Sequence, residues 1–494
     1  MSFLPVAQRE LRVASRRRST FRTRLLAAGL ASGAGAFLLL VSRHVGPGLN
    51  PAQAVYGTLA VGCLMLALLS GVFLTADALS RERRDGTLGL LFLTATGPGD
   101  VILGKLLALG LNALGALLAV APILGIAWIL GGFTGGQLLR TVATILNALF
   151  FSLAAGLAVS AGERSPGRAL ALTALGLGTL TGAGSLAEAY NPEDGSSLSR
   201  LLRVGTGLSP MGGEGGFDDG LYQRRPDCFW VPFGVAHGLG WGWLGLARVR
   251  LRRRWSGDDP GEDRPSRQGR SGRRLSPELL DRQPIQAFLL RSTGPGRLAW
   301  GVAWAGLGLG LLLLLPANLP GKLPVSGFFL FAIPSLLLKG LFAWSATAFL
   351  AEARQTQTLE LLLTTPLQDR DLRRGQQSAL RHVYAGPWVV LYLGEFLWAG
   401  HVDGGWWMLS GISAFGTLLQ CLAMVRLGAW FALTERLPTV AVGKTFVLGA
   451  LLPSALNWIC CLGLVAAPTI GGWAATRLAR PLRSLLTSPD AARR

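Results

Sequence analysis

Charge is scarce in this chain: only 15% of its 494 residues are Asp, Glu, Lys or Arg, where soluble domains carry about 25%. With 50% hydrophobic residues and a mean hydropathy of +0.42, that shortage excludes a water-soluble protein. Histidine is rarer still. His44, His237, His382 and His401 lie scattered, with no second ligand at helical spacing, so no metal is expected, and neither is an active site built on histidine and a carboxylate. The cysteines Cys63, Cys228, Cys421, Cys460 and Cys461 have no metal spacing, and most sit inside apolar runs. There they act as small hydrophobes, and no disulfide framework is expected.

A nucleotide loop is missing too. "GDVILGKL", from Gly99 to Leu106, ends in Leu where magnesium needs a hydroxyl, and it leads into an apolar run instead of following a strand. "PTVAVGKT" places Pro438 where the first glycine belongs, and "FTGGQ" at Phe133 to Gln137 sits in a short turn between apolar runs. No cofactor is expected in this chain.

What the chain has in abundance is apolar length. Runs near the roughly 20 residues that cross a bilayer as a helix recur throughout, such as "AVYGTLAVGCLMLALLSGVFL" and "ALALTALGLGTLTGAGSLA". Spans are expected at roughly 25–43, 54–78, 101–130, 137–161, 169–188 and 228–248. Six more are expected at roughly 298–316, 325–350, 380–400, 406–433, 439–456 and 457–478, the last two parted only by prolines, so that eleven spans is the alternative. Between the two sets lies "RRRWSGDDPGEDRPSRQGRSGRRLSPE", a polar linker. The fold class is therefore all-α and polytopic, 6+6 spans: a first half 1–248, a linker 249–283 and a second half 284–494. The first apolar run begins after an arginine-rich arm and is long enough to span, so it is expected to remain as an anchor and not to be cleaved.

The net charge of +20 is placed as membrane topology requires. Arg9, Arg12, Arg16, Arg17, Arg18, Arg22 and Arg24 precede the first span, and eleven arginines lie between Arg248 and Arg282. Under the positive-inside rule these flanks face anionic headgroups on the cytoplasmic side, with both termini inside. No aromatic-interleaved basic motif accompanies them, so nucleic acid is not expected as a partner.

Ionisable residues within spans cost a few kcal/mol each and often carry function. Lys339, in the eighth span, and Glu395, in the ninth, are the candidates for a hydrated pathway, with Lys339 facing the bundle interior near Glu395 or held in a structural pairing. Arg426 can reach the surface by snorkelling.

A charged cassette occurs twice. "RERRDGTLGLLFLTATGPGDVILGK" (81–105) and "EARQTQTLELLLTTPLQDRDLRRGQ" (352–376) align at a constant shift of 271. Over 79–109 and 350–380 eleven of 31 positions are identical, among them Arg83/Arg354, Thr87/Thr358, Thr94/Thr365, Asp100/Asp371 and Gly104/Gly375. Apolar bias does not explain those polar matches, so an internal duplication is expected. Each cassette carries a Leu-rich amphipathic turn with a Thr able to cap it, suited to lie on a membrane surface or to dock a partner.

These residues resemble the cytoplasmic loop of type-2, exporter-like ATP-binding cassette permeases, whose pattern is Glu-Arg, two variable residues, Gly-Thr-Leu-Glu, leucines, Thr-Pro and later Gly-Lys. Glu82, Arg83, Gly86, Thr87, Leu88, Leu90, Leu91 and Lys105 match in the first copy, and Thr358, Leu359, Glu360, Leu361 and Pro366 in the second, with Glu352 and Arg354 at the second loop's start. Gly89 stands for the acidic residue of the first copy, and Gln357 and Gln376 for the glycine and lysine of the second. The resemblance implies a transport subunit without its own nucleotide site, in a bacterial cytoplasmic membrane, with loops 79–105 and 350–376 each gripping one of two separate ATPase subunits. Alternatives are a membrane assembly protein or a membrane-embedded enzyme. These motifs do not identify the substrate; the apolar pathway favours lipids, amphiphiles or peptides, while the family that the chain resembles also exports polysaccharides and drugs.

Overall fold

The chain is an all-α membrane protein. The computed structural model describes residues 4–15, 51–75, 78–79, 82, 97–129, 131, 133–163, 166–189, 197–210, 219–255, 286, 294–313, 323–355, 369–401, 406–435, 438–454 and 463–478, with single positions between 21 and 39. No strand occurs among them. Five of the described helical stretches are long and apolar enough to cross a membrane: Val55–Thr75, Pro98–Ile129, Gly135–Gly162, Pro334–Ala351 and Ser410–Thr434.

Two compact units divide the chain, Met1–Pro260 and Gly261–Arg494. The first contains α1 (Leu4–Ser15), α2 (Pro51–Thr75), α3 (Pro98–Leu118), α4 (Ala121–Ile129), α5 (Gly135–Gly162), α6 (Pro166–Ala189), α7 (Ser197–Thr206), α8 (Asp219–Arg224) and α9 (Asp227–Trp255). The second contains α10 (Gly294–Leu313), α11 (Leu323–Gln355), α12 (Asp369–His401), α13 (Trp406–Thr434), α14 (Pro438–Phe446) running into a π-helical turn Val447–Leu451, and α15 (Gly463–Leu478). Helix α9 carries on to Trp255, past the expected start of the linker at 249. Most of the linker, and most of the first expected span, lie outside the described residues.

Each unit is organised around one central helix. In the first, α5 packs against α2, α3, α6 and α9, and in the second, α13 packs against α11, α12, α14 and α15. Helices α3 and α12 start at 98 and 369, and α5 and α13 at 135 and 406, both pairs 271 apart.

Small residues explain why α5 can take the central place. Its second half reads "SLAAGLAVSAG", and side chains this small let backbones approach closely where lipid offers no hydrophobic drive. Ser152 Oγ donates to the carbonyl of Ala67 on α2 at 2.7 Å. A Cβ on Gly156 would overlap the Thr75 hydroxyl and stand 2.5 Å from the Gly71 carbonyl oxygen. Unit two repeats the device: a Cβ on Gly428 of α13 would lie 2.9 Å from the carbonyl oxygen of Ala346 on α11. Gly156→Ala is therefore expected to destabilise the first bundle by about 1–3 kcal/mol through overpacking. Gly176→Ala, on α6 with nothing within 4 Å of its Cβ position, is the control. Thermal unfolding in detergent should show a lower midpoint for the first variant and none for the second.

Arginines close the helix ends, where carbonyls lack intrahelical partners. Arg250 donates to the Ala158 carbonyl near the end of α5 at 2.9 Å, Arg354 to the Leu433 carbonyl at the end of α13 at 2.6 Å, and Arg373 to the Leu478 carbonyl at the end of α15 at 2.7 Å. At the opposite end of α5, Asp219 of α8 meets Arg140 and Thr134. The Thr134 hydroxyl, then the Arg140 guanidinium, hold the Asp219 carboxyl below the usual carboxylate range. The connection between α6 and α9, which falls between the expected spans 169–188 and 228–248, carries two helices, and α7 packs on both α6 and α9.

Candidate functional site

The first cassette leaves α2 and re-enters the bundle as α3. Pro98 at the first turn of α3 costs no hydrogen bond there, and Asp100 accepts from the Gly97 amide at 3.0 Å, fixing the entry point. Lys105 follows on α3, seven residues after Pro98.

Lys105 Nζ lies 3.1 Å from Glu82 Oε1 and 3.5 Å from Glu10 Oε1. Arg9 Nη2 reaches the same Glu82 oxygen at 3.3 Å. The lysine side chain keeps 6% of its surface exposed and Glu82 10%, while Arg9 keeps 54%. A buried, doubly contacted ion pair therefore joins the beginning and the end of the first cassette, and α1, which packs along α3, covers it. Glu82 and Lys105 were singled out in the sequence as partner-gripping residues, and the structure brings them together as the base of the loop.

Arg83, Gly86, Thr87, Leu88, Leu90 and Leu91 lie outside the described residues, as do Thr358, Leu359, Glu360, Leu361 and Pro366. Glu352 lies in α11. Arg354, one residue before the end of that helix, donates to the carbonyls of Leu433 and Glu435 at 2.6 and 3.2 Å.

At the base of the second cassette neutral groups take the place of the ion pair. At the positions 271 beyond Glu82 and Lys105 stand Ala353 and Gln376, both buried. Gln376 Nε2 donates to the Ala346 carbonyl at 2.7 Å, joining α12 to α11. Both members of the ion pair are thus absent together. Removing one partner of a buried pair strands a charge, whereas replacing both is close to neutral.

The second candidate lies in the interior of the second bundle. Lys339 on α11 and Glu395 on α12 are 7% and 5% exposed. Lys339 Nζ donates to Ser454 Oγ at 3.2 Å, and Ser454 Oγ in turn to Gln420 Oε1 on α13 at 3.4 Å. Glu395 acts electrostatically on Lys339 without closing into an ion pair among the described residues. Beside it, Tyr392 donates to Thr417 Oγ1 at 2.5 Å. Arg426, by contrast, is exposed.

Two parts of these sites escaped sequence reasoning. Arg9 and Glu10 read only as a basic arm, although "LPVAQRELRVAS" places its charges and its buried Val6 and Ala7 as an amphipathic helix would. Gln420 and Ser454 were invisible singly, because a lone amide or hydroxyl in an apolar run carries no signal. Among the described residues no group of three or more His, Cys, Asp or Glu is placed to hold a metal. Compared with known protein families and with curated proteins, the chain matches none.

Proposed function

We infer that this chain is the membrane-spanning permease subunit of an ATP-binding cassette transporter of the type-2, exporter-like kind. In this reading it consists of two duplicated six-span halves in a bacterial cytoplasmic membrane. Both termini are cytoplasmic, and two separate ATPase subunits seat on loops 79–105 and 350–376. The observation that carries the reading is the pinned base of the first loop, Glu82 against Lys105 at 3.1 Å under α1.

A loop pinned at its base transmits force. A load applied to residues 83–96 reaches α2 and α3 together, because the ion pair ties both ends. At the second loop Arg354 ties the exit of α11 to the end of α13, and Gln376 ties α12 back to α11. Nucleotide-driven closure of the ATPases would thus move whole helix pairs and not slack chain. The duplication draws support from the shared offset of 271 in helix starts and from the matching partners of α5 and α13.

The test is capture of an ATPase encoded beside this gene. Two ATPase copies per chain are expected, and one copy or none overturns the reading. Arg83→Glu in the first loop and Glu360→Arg in the second should each weaken capture and uncouple ATP hydrolysis from transport. Glu82 is unsuited to that test, since reversing its charge attacks the fold through Lys105.

A further inference from the structure

The two bundles differ sharply at matching positions of their interiors. Lys339, Glu395, Gln420 and Ser335 lie buried in the second unit. The residues 271 earlier are Leu68, Leu124, Leu149 and Leu64, and all four belong to or pack against one apolar core of the first unit. Ser454, the hydrogen-bond partner of Lys339, corresponds to Ala183.

The backbone differs at the same place. Helix α11 carries Pro334 in its interior, five residues before Lys339, where α2 has Cys63 in an uninterrupted helix. The π-helical turn Val447–Leu451 comes just before Ser454, and the matching residues 176–180 are plain α-helix. π-Turns and interrupted helices at membrane depth mark binding positions in transport proteins.

An ammonium group has three donors and no acceptor. Among the described residues Lys339 Nζ has one hydrogen bond, to the neutral hydroxyl of Ser454, and no carboxylate in contact. Glu395 acts on it from beyond contact distance, so the remaining donors are left to an oxygen-rich anion that can reach them directly.

We propose that the second bundle alone holds a buried binding site for an anionic group, a carboxylate or phosphate, carried by the transported compound. Lys339 supplies the charge, Ser454 and Gln420 the neutral frame, and the first bundle is its dry counterpart. The inference rests on the proposed function only in calling the ligand a cargo.

The probe is radiolabelled oleate against oleyl alcohol, with the full chain in phosphatidylcholine nanodiscs. The wild type is expected to bind oleate saturably and roughly tenfold more tightly than the alcohol, the worth of one charge-assisted contact. Lys339→Met should abolish that preference, Lys339→Arg should keep it, and Leu68→Met in the first bundle should leave it untouched. Size-exclusion profiles of each variant check that the bundle is intact, and Lys339→Gln, which keeps a polar side chain without the charge, should lose the preference in the same way. Displacement of oleate by inorganic phosphate assigns the site to small free anions, and absence of displacement assigns it to amphiphiles; both support an anion site. Equal binding of oleate and oleyl alcohol by the wild type, no binding of either, or an unchanged preference in Lys339→Met overturns it. Failure to capture an ATPase while the oleate preference persists would sink the proposed function and leave this site standing.

Discussion

Lys105→Met is expected to cost the first bundle about 2–4 kcal/mol, because it strands Glu82 and Glu10 without the buried cation they share. The lower part of that range applies because Arg9, more than half exposed, still reaches Glu82. Glu82→Ala alone is expected to cost a similar amount by leaving the buried Lys105 with only the longer contact to Glu10 at 3.5 Å. The double variant Glu82→Ala, Lys105→Gln, which copies Ala353 and Gln376 of the second half, should recover most of the loss. Chemical unfolding in mixed micelles gives the three differences, and a coupling energy of about 2 kcal/mol or more is expected between neighbours in one network. Simple addition of the two single losses would show that the pair contributes nothing as a pair.

The opposite sign is expected at Lys339. A lysine at the membrane centre costs about 2.5–3.5 kcal/mol, and a single neutral hydroxyl partner at 3.2 Å offsets only part of that. Lys339→Met conserves length and volume and removes the buried charge, so the second bundle should gain about 1–3 kcal/mol. A higher unfolding midpoint for this variant, together with loss of the oleate preference, is the pattern of a residue kept for function at the expense of stability. A lower midpoint would identify Lys339 as part of the structural frame.

Much of this architecture was legible in the sequence because its signals are long or repeated. Apolar runs announced the α-helical membrane class, and the arginine-rich segment lies where the two compact units part, between Pro260 and Gly261. The cassette ends Glu82 and Lys105 stood out as charges at fixed places in a motif. What they do in the molecule was hidden, since an ion pair over 23 positions depends on α2 and α3 meeting at one end. Between the fifth and sixth expected spans lie α7 and α8, whose short, half-polar sequences are too brief to stand out as helices from the sequence. The buried polar groups of the second bundle stand out only when its residues are set against those 271 earlier in the chain, where Ser335 and Gln420 meet Leu64 and Leu149. Helices α14 and α15 fall within the last two expected spans, and residues 455–462, where those spans were expected to part, lie outside the described residues.

The clamp of α1 over the first cassette also sets a timetable for biogenesis. Arg9 leaves the ribosome 73 residues ahead of Glu82, a delay of roughly 4–15 seconds at ordinary elongation rates. Throughout that interval the helix has no ionic mate at the far end of α2, and its Val6 and Ala7 have no α3 to cover them. A segment made ahead of both its partners thus docks only once α3 has followed it, so its contacts are among the later ones to close in this unit.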